Sequence, residues 1–347
     1  MTKLPEGLRI IDPHIHQWDP YTTPRLVSAP AKLVRRVPVL RPVLLKVFPK
    51  RDREFVGDPT HVIAPYLPAD YRADAGDLPV EAIVHVEAGW ADHEDLAGET
   101  AWLTGLPFGS DGPQLGAIVC HADPREAGIG AVLDRNLEAG PLLRGVRCSA
   151  AHHPDRGVRD WGEEGLLSSA AFLRGFGAVA ERGLSFEAWV YSHQLDEVVN
   201  LAREYPEATI VLDHYATPVG LFGPRGRSTG QSEAERRAIF DRWYDDIAEV
   251  AAQPNVVAKH SGLGMPVLGW SGPATGSEFR DRVAPLVTRT QELFGPDRTL
   301  WASNFPMDKP TVSLPATVDA LLDILGAEAD PQRLLRDNAR RVYRIGQ

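Results

Sequence analysis

Residues 8–20 read LRIIDPHIHQWDP, and the reading of this stretch decides the fold. Leu8 to Asp12 form a short, apolar, β-branched run of the kind that makes a buried strand. Pro13 has no N–H to give to a ladder, which suits the end of a strand. His14 and His16 follow two residues apart, so on an extended backbone both side chains project to the same side. A lone histidine there would read as a satisfied structural residue. Two at this spacing, closing a first strand, mark a metal or catalytic site, because both imidazoles reach one ion.

Working outward, seven more runs of the same kind recur: 80–86 (VEAIVHV), 115–120 (LGAIVC), 142–148 (LLRGVRC), 185–191 (SFEAWVY), 209–213 (TIVLD), 255–259 (NVVAK) and 299–303 (TLWAS). Segments with helical periodicity lie between most of them: 94–104, 125–138, 167–182, 194–205, 233–252, 278–294 and 312–326. A last helix is expected over 331–342. Near-continuous apolar strands that alternate with helices indicate a parallel sheet covered by helices. Eight such units in one chain point to an α/β fold of the closed (β/α)8 TIM-barrel type rather than an open sheet. No glycine-rich phosphate loop follows the first strand, which disfavours a dinucleotide-binding fold. The chain reads as one domain over 1–347, with one large insertion at 19–79 expected to fold over the barrel mouth as a lid.

Bulk properties bound the function. The chain has 347 residues, 37 basic and 47 acidic, for a formal net charge of −10. An acidic surface disfavours nucleic acid as partner. No stretch has the 18 or so apolar residues of a membrane span, and MTKLPEGLRIIDPHIH lacks the apolar core of a signal peptide. The expectation is a cytoplasmic enzyme with a small-molecule substrate, no nucleic-acid or membrane partner, and room for homo-oligomerisation. Cys120 and Cys148 sit in apolar runs and read as buried free thiols. Residues 32–53 (KLVRRVPVLRPVLLKVFPKRDR) are locally basic; a solvated, partly helical insertion is the plain reading, and a lid or anion-attracting flap the sharper one.

In a barrel of this kind the active site is assembled where the strands end. The second run ends in His85-Val86-Glu87, and the fourth carries Arg147, whose forked donor suits a carboxylate or carbonyl unless Glu87 already pairs with it. The fifth ends in Tyr191-Ser192-His193-Gln194, the sixth in Asp213-His214-Tyr215, the seventh in Lys259-His260-Ser261-Gly262, and the eighth in Ser303-Asn304-Phe305-Pro306-Met307-Asp308. Imidazoles from the first, fifth and sixth runs, with an amide or carboxylate from the eighth, suit zinc or another divalent first-row ion. His152 and His153, in the loop 150–165, read as exposed loop histidines that could also approach a ligand.

Taken in order, IDPHIHQWDP (11–20), VEA (86–88), GVR (145–147), SHQL (192–195), LDHYATP (212–218), NVVAKHSGLG (255–264) and ASNFPMD (302–308) resemble the amidohydrolase superfamily. The likeness is nearest to its amidohydrolase-2 branch, which holds 2-pyrone-4,6-dicarboxylate lactonase, fuconolactonase and sulfomuconolactonase. The resemblance implies metal ligation by His14, His16 and His193. It implies catalytic roles for His214, Arg147, Glu87 and the 304 position, with Arg147, Tyr215, Lys259 and Asp308 at the substrate. It implies a divalent metal, zinc or manganese, although the branch also includes lactonases that work without one. This chain departs from the family at Asn304, where an aspartate is usual; an asparagine accepts no proton, though its carbonyl oxygen still ligates weakly. His214, Glu87 or Asp308 is then left to act as base. The activity implied is hydrolysis of a lactone. Decarboxylation of an aromatic or enoic acid on the same scaffold, and a non-catalytic ligand-binding barrel, are the alternatives.

Overall fold

The computed structural model describes residues 4–346. Eight parallel strands pair in sequence order: β1 (Ile10–Ile15), β2 (Val80–Val86), β3 (Gln114–His121), β4 (Leu143–Arg147), β5 (Ser185–Ala188), β6 (Ile210–Leu212), β7 (Val256–His260) and β8 (Thr299–Trp301). The seam between first and last closes just past β8. There Asn304 N–H donates to His14 C=O (2.9 Å) and His16 N–H to Phe305 C=O (2.9 Å). The (β/α)8 barrel expected from the sequence is thus the fold, and every expected strand and helix has its counterpart. β5 and β8 are shorter than their apolar runs: they stop at Ala188 and Trp301, and the chain turns into loops before each run ends.

Both faces of the strands are buried, which is why the runs read as apolar throughout. Alternate residues divide between two layers. Ile11, Val84, Val119, Val211, Val257 and Leu300 point into the barrel, whose floor is sealed by Ala339, Val342 and Tyr343 from the C-terminal segment. Ile10, Ile83, Ile118, Phe186, Ile210 and Trp301 face the surrounding helices. One irregularity positions the site. The β1–β2 register shifts between Asp12 and Ile15, so a bulge at Pro13 moves His14 and His16 onto the interior side that Ile11 began, while Ile15 joins the outer layer. Bulges commonly re-aim side chains beside active sites in this way.

The insertion is helical at Ser28–Arg36, Arg41–Val47, Lys50–Val56 and Pro68–Ala75. Its helix Lys50–Val56 lies against loops that follow β4 and β6. Lys50 donates to Gly226 C=O (2.7 Å), Gly226 N–H donates to Glu54 (2.9 Å), and Asp52 pairs with Arg159 (3.0 Å). Phe55 packs on Trp161 and Trp189, with ring centroids 5.0 and 5.7 Å away. Both cysteines are buried, and burial pushes their thiols up, so they are inert thiols of the core.

Candidate active site

The polar residues at the strand ends form two tiers. Glu87, Arg147, His16 and His214 keep a sliver of surface each, 3–6 %. Beneath them His14, Asp213, Lys259 and Glu187 have none.

In the lower tier, His14 Nδ1 lies 3.0 Å from Lys259 Nζ and 3.2 Å from Asp213 Oδ1. Lys259 also sits 3.3 Å from Asp213 Oδ1 and donates to Glu187, which Tyr343 reaches from the barrel floor. Burial keeps the His14 imidazole neutral, its pKa well below the usual range, although the Asp213 carboxylate pulls the other way. Burial would raise Asp213, but Lys259, His14 and His214 around it hold it ionised, well below the ordinary carboxylate range. For Glu187, burial and the Asp213 charge prevail over the attraction of Lys259 and push the acid up to about 8.

His214 is placed by an unusual backbone. Residues 214–217 all have positive φ (54°, 56°, 55° and 39°) and form a left-handed turn closed by Ala216 N–H to Asp213 C=O. Each non-glycine residue held this way costs about 1–2 kcal/mol, a strain that tends to collect at functional sites. His214 Nδ1 meets the Ser261 hydroxyl at 2.8 Å. Gly262 lies so close that a Cβ there would sit 2.4 Å from the imidazole, which is why SGLG needs its first glycine. His14 and His214 stand 4.6 Å apart, centroid to centroid.

In the upper tier, His16 Nδ1 faces Val86 C=O at 2.8 Å, which leaves its Nε2 as the acceptor. Arg147 spends Nε and Nη2 on Glu87, at 2.8 Å to the carboxylate and 2.8 Å to the carbonyl. Its Nη1 remains, 3.9 Å from Asp213 Oδ2, and its plane lies over the Trp189 ring at 5.3 Å. Glu87 is thereby a clamp on Arg147, held ionised by it against burial.

Ligand-spaced donors gather at His14, Asp213 and His214, all within 4.8 Å of one another. The donors suit a small divalent ion: His14 Nε2 and Asp213 Oδ2 are buried with no hydrogen-bond partner, and His214 has one nitrogen spare. The ligand set expected from sequence was different. His14 is common to both; the His16 ring stands 5.0 Å from that of His14, and neither His16 nor His193 is in the group of close-spaced donors. β5 ends five residues before His193, and the turn at 192–194 carries its ring edge-on to His153 at 5.2 Å.

Other expected site residues are also placed differently. Tyr215 is buried behind the barrel wall, its hydroxyl on His260 Nδ1 (2.6 Å) and its ring against Trp243. Lys259 lies under the site rather than at a substrate. Asn304 donates from Nδ2 to Asp308 Oδ1 (2.8 Å), and Gly264 N–H donates to Asp308 Oδ2 (2.8 Å), so these two residues lock one another. Burial raises the Asp308 carboxyl to about 7. His85 points outward: Gln17 N–H donates to its Nδ1, and its Nε2 lies 3.7 Å from Glu99. Asp213 and Glu187 were missed as site residues. The available signal was parity, since Asp213 stands two residues beyond the interior Val211, as Lys259 does beyond Val257.

A model of the amidohydrolase family matches residues 11–345. The uncharacterized protein y4mH of Sinorhizobium fredii is 31 % identical over 342 residues, covering 97 % of this chain and 99 % of that protein. An L-fucono-1,5-lactonase of Burkholderia ambifaria is 30 % identical over 174 residues, half of each chain. Among solved structures, an amidohydrolase of Burkholderia multivorans is similar at a TM-score of 0.70 with bound HEPES. It shares 20 % identity and covers 97 % of this chain and 100 % of its own. The same enzyme with bound zinc gives 0.69.

Proposed function

The chain belongs to the amidohydrolase family, and from that premise we propose that it is a hydrolase that opens a lactone, such as that of a sugar acid, to the hydroxy acid. The observation that carries this reading is the Asp213 carboxylate. Fully buried and held ionised by Lys259 and His14 at its Oδ1, it turns Oδ2 towards the one free nitrogen of Arg147, 3.9 Å away. The acid that Asn304 lacks at β8 is supplied from the end of β6. A lactonase among the sequence relatives supports the choice of substrate class.

In this mechanism Asp213 accepts the proton of the attacking water as the new C–O bond forms. Arg147 Nη1 donates to the carbonyl oxygen as it becomes an oxyanion, held in aim by Glu87 and by the Trp189 face. When the ring C–O bond breaks, the proton on Asp213 passes to the departing alkoxide, so the product is a hydroxy acid and the enzyme is restored. Lys259 keeps Asp213 ionised between turnovers. A divalent ion held by His14, His214 and Asp213 would polarise the carbonyl and acidify bound water; the similar Burkholderia structure binds zinc. His16 stays outside that group and presents Nε2 to the substrate.

The test is acid release from a panel of sugar and unsaturated lactones, with chelated protein and with added zinc or manganese. Asp213→Asn is expected to lower kcat at least about 100-fold with the fold retained. Turnover of no lactone above that variant overturns the reading, and carbon dioxide release from aromatic acids would replace it with a decarboxylase.

A further inference from the structure

The eight large apolar side chains most exposed among the described residues are not scattered. Six of them lie between 26 and 47: Leu26 (67 %), Leu33 (43 %), Val37 (39 %), Val39 (77 %), Val43 (57 %) and Val47 (66 %). Val39, Val43 and Val47 follow at intervals of four through the turn Pro38–Leu40 and the helix Arg41–Val47, so they form one stripe. The helices at 28–36 and 41–47 pack chiefly on one another, and Ala31 is the one buried residue of the first. Around the stripe, residues 32–53 carry eight Lys or Arg against a single acidic residue, in a chain whose net charge is −10. Lys32, Arg35, Arg36, Arg41 and Lys46 are all exposed.

We propose that this arm docks on an anionic lipid surface, lying in the interface without crossing it. Solvated charge alone would explain the arginines but not valines left half or more in water. The combination matches a bilayer interface, where apolar side chains sink to the acyl boundary while Lys and Arg reach the phosphates. Each such cation adds attraction to an anionic leaflet. A twofold contact between copies would set this positive surface against itself. Among the described residues no helix is long and apolar enough to cross a membrane, consistent with surface binding alone. The arm runs directly into helix Lys50–Val56, so docking brings the side of the barrel that carries Phe55 towards the bilayer. The proposal does not depend on the hydrolytic reading.

Co-sedimentation of the full-length protein with vesicles tests it, comparing phosphatidylcholine alone with phosphatidylcholine containing about 30 % phosphatidylglycerol. Binding to the anionic vesicles is expected to be at least about tenfold tighter and to weaken sharply in ~0.5 M salt. Val43→Asp/Val47→Asp and Arg36→Glu/Arg41→Glu are each expected to weaken it about tenfold or more, with melting temperature unchanged. No binding to anionic vesicles at low salt, or binding that survives both variants, overturns the proposal. So does a concentration-dependent dimer, abolished by Val43→Asp/Val47→Asp in a protein that ignores vesicles, because the stripe would then belong to a second copy.

Discussion

At Asn304 one amide takes the place of the carboxylate usual at the end of β8, and its surroundings show what that exchange does. Its Nδ2 donates to Asp308 Oδ1 at 2.8 Å, in a pocket that already raises Asp308 to about 7. Asn304→Asp would set a second carboxylate against that oxygen, where both cannot ionise without mutual repulsion. The expected result is a loss of roughly 1–3 kcal/mol in urea unfolding at pH 8, shrinking towards pH 5 as the pair comes to share a proton. A variant as stable as the parent at pH 8 would mean that residue 304 does not face Asp308. On the proposed reading the acid function falls, at the residue scale, to Asp213. It was quoted in the sequence beside His214 but carries no mark of its own, because an aspartate before a turn is common.

Among the elements, β5, the end of β6 and β7 each contribute one ionisable residue to the buried tier: Glu187, Asp213 and Lys259. A cation wholly inside a barrel persists only when paired. Lys259→Met removes the countercharge of Asp213 and the donor to Glu187 and is expected to cost about 3–5 kcal/mol by denaturant titration. Lys259→Met with Glu187→Leu should recover part of that loss, since the buried acid goes with its partner. No loss in the single variant would refute the pairing. The turn after β6 is an element the sequence conceals, for DHYATP contains no glycine to announce four left-handed residues. Its own backbone hydrogen bonds, and contacts from Ser261, Gly262, His260 and Trp243 on other elements, hold that turn.

Across the whole molecule, burial of neutral histidines governs the response to acid. His16 is held at about 3, and His153, His214 and His260 at about 4, by burial first. Burial also lowers His14, His61, His85 and His193. Because the unfolded chain titrates these groups near 6.5, it binds protons first. Their contribution to stability is therefore present above 6.5 and lost as pH falls towards 4. Asp12, Asp308 and Glu187, raised to about 6, 7 and 8, act in the opposite sense and offset part of the loss as they protonate in the folded state. The histidines outnumber them. Stability is expected to fall by roughly 2–5 kcal/mol from pH 7 to pH 5, read as a lower urea midpoint, and a midpoint that holds or rises would refute this balance.

The barrel was legible because its determinants are local. Each strand is apolar on both faces and bounded by turns, and each helix has its own period, so eight units can be counted without knowing where they meet. His14, His16, Arg147 and His214 were legible as polar groups that end such runs. The partners of these groups were not. His193 was expected on the metal because it follows β5, yet the strand stops early and the turn carries the ring away. Tyr215 and Lys259 were expected at the substrate, but a left-handed turn and strand parity sent one behind the wall and the other beneath the site. Direction and depth of a side chain depend on where a strand bulges, ends or twists and on what packs behind it, and those are decided by contacts between segments far apart in the chain. The sequence alone therefore determined the barrel and which polar groups end its strands, while the depth and mutual pairing of His14, Asp213, Lys259 and Glu187 came only from the tertiary structure.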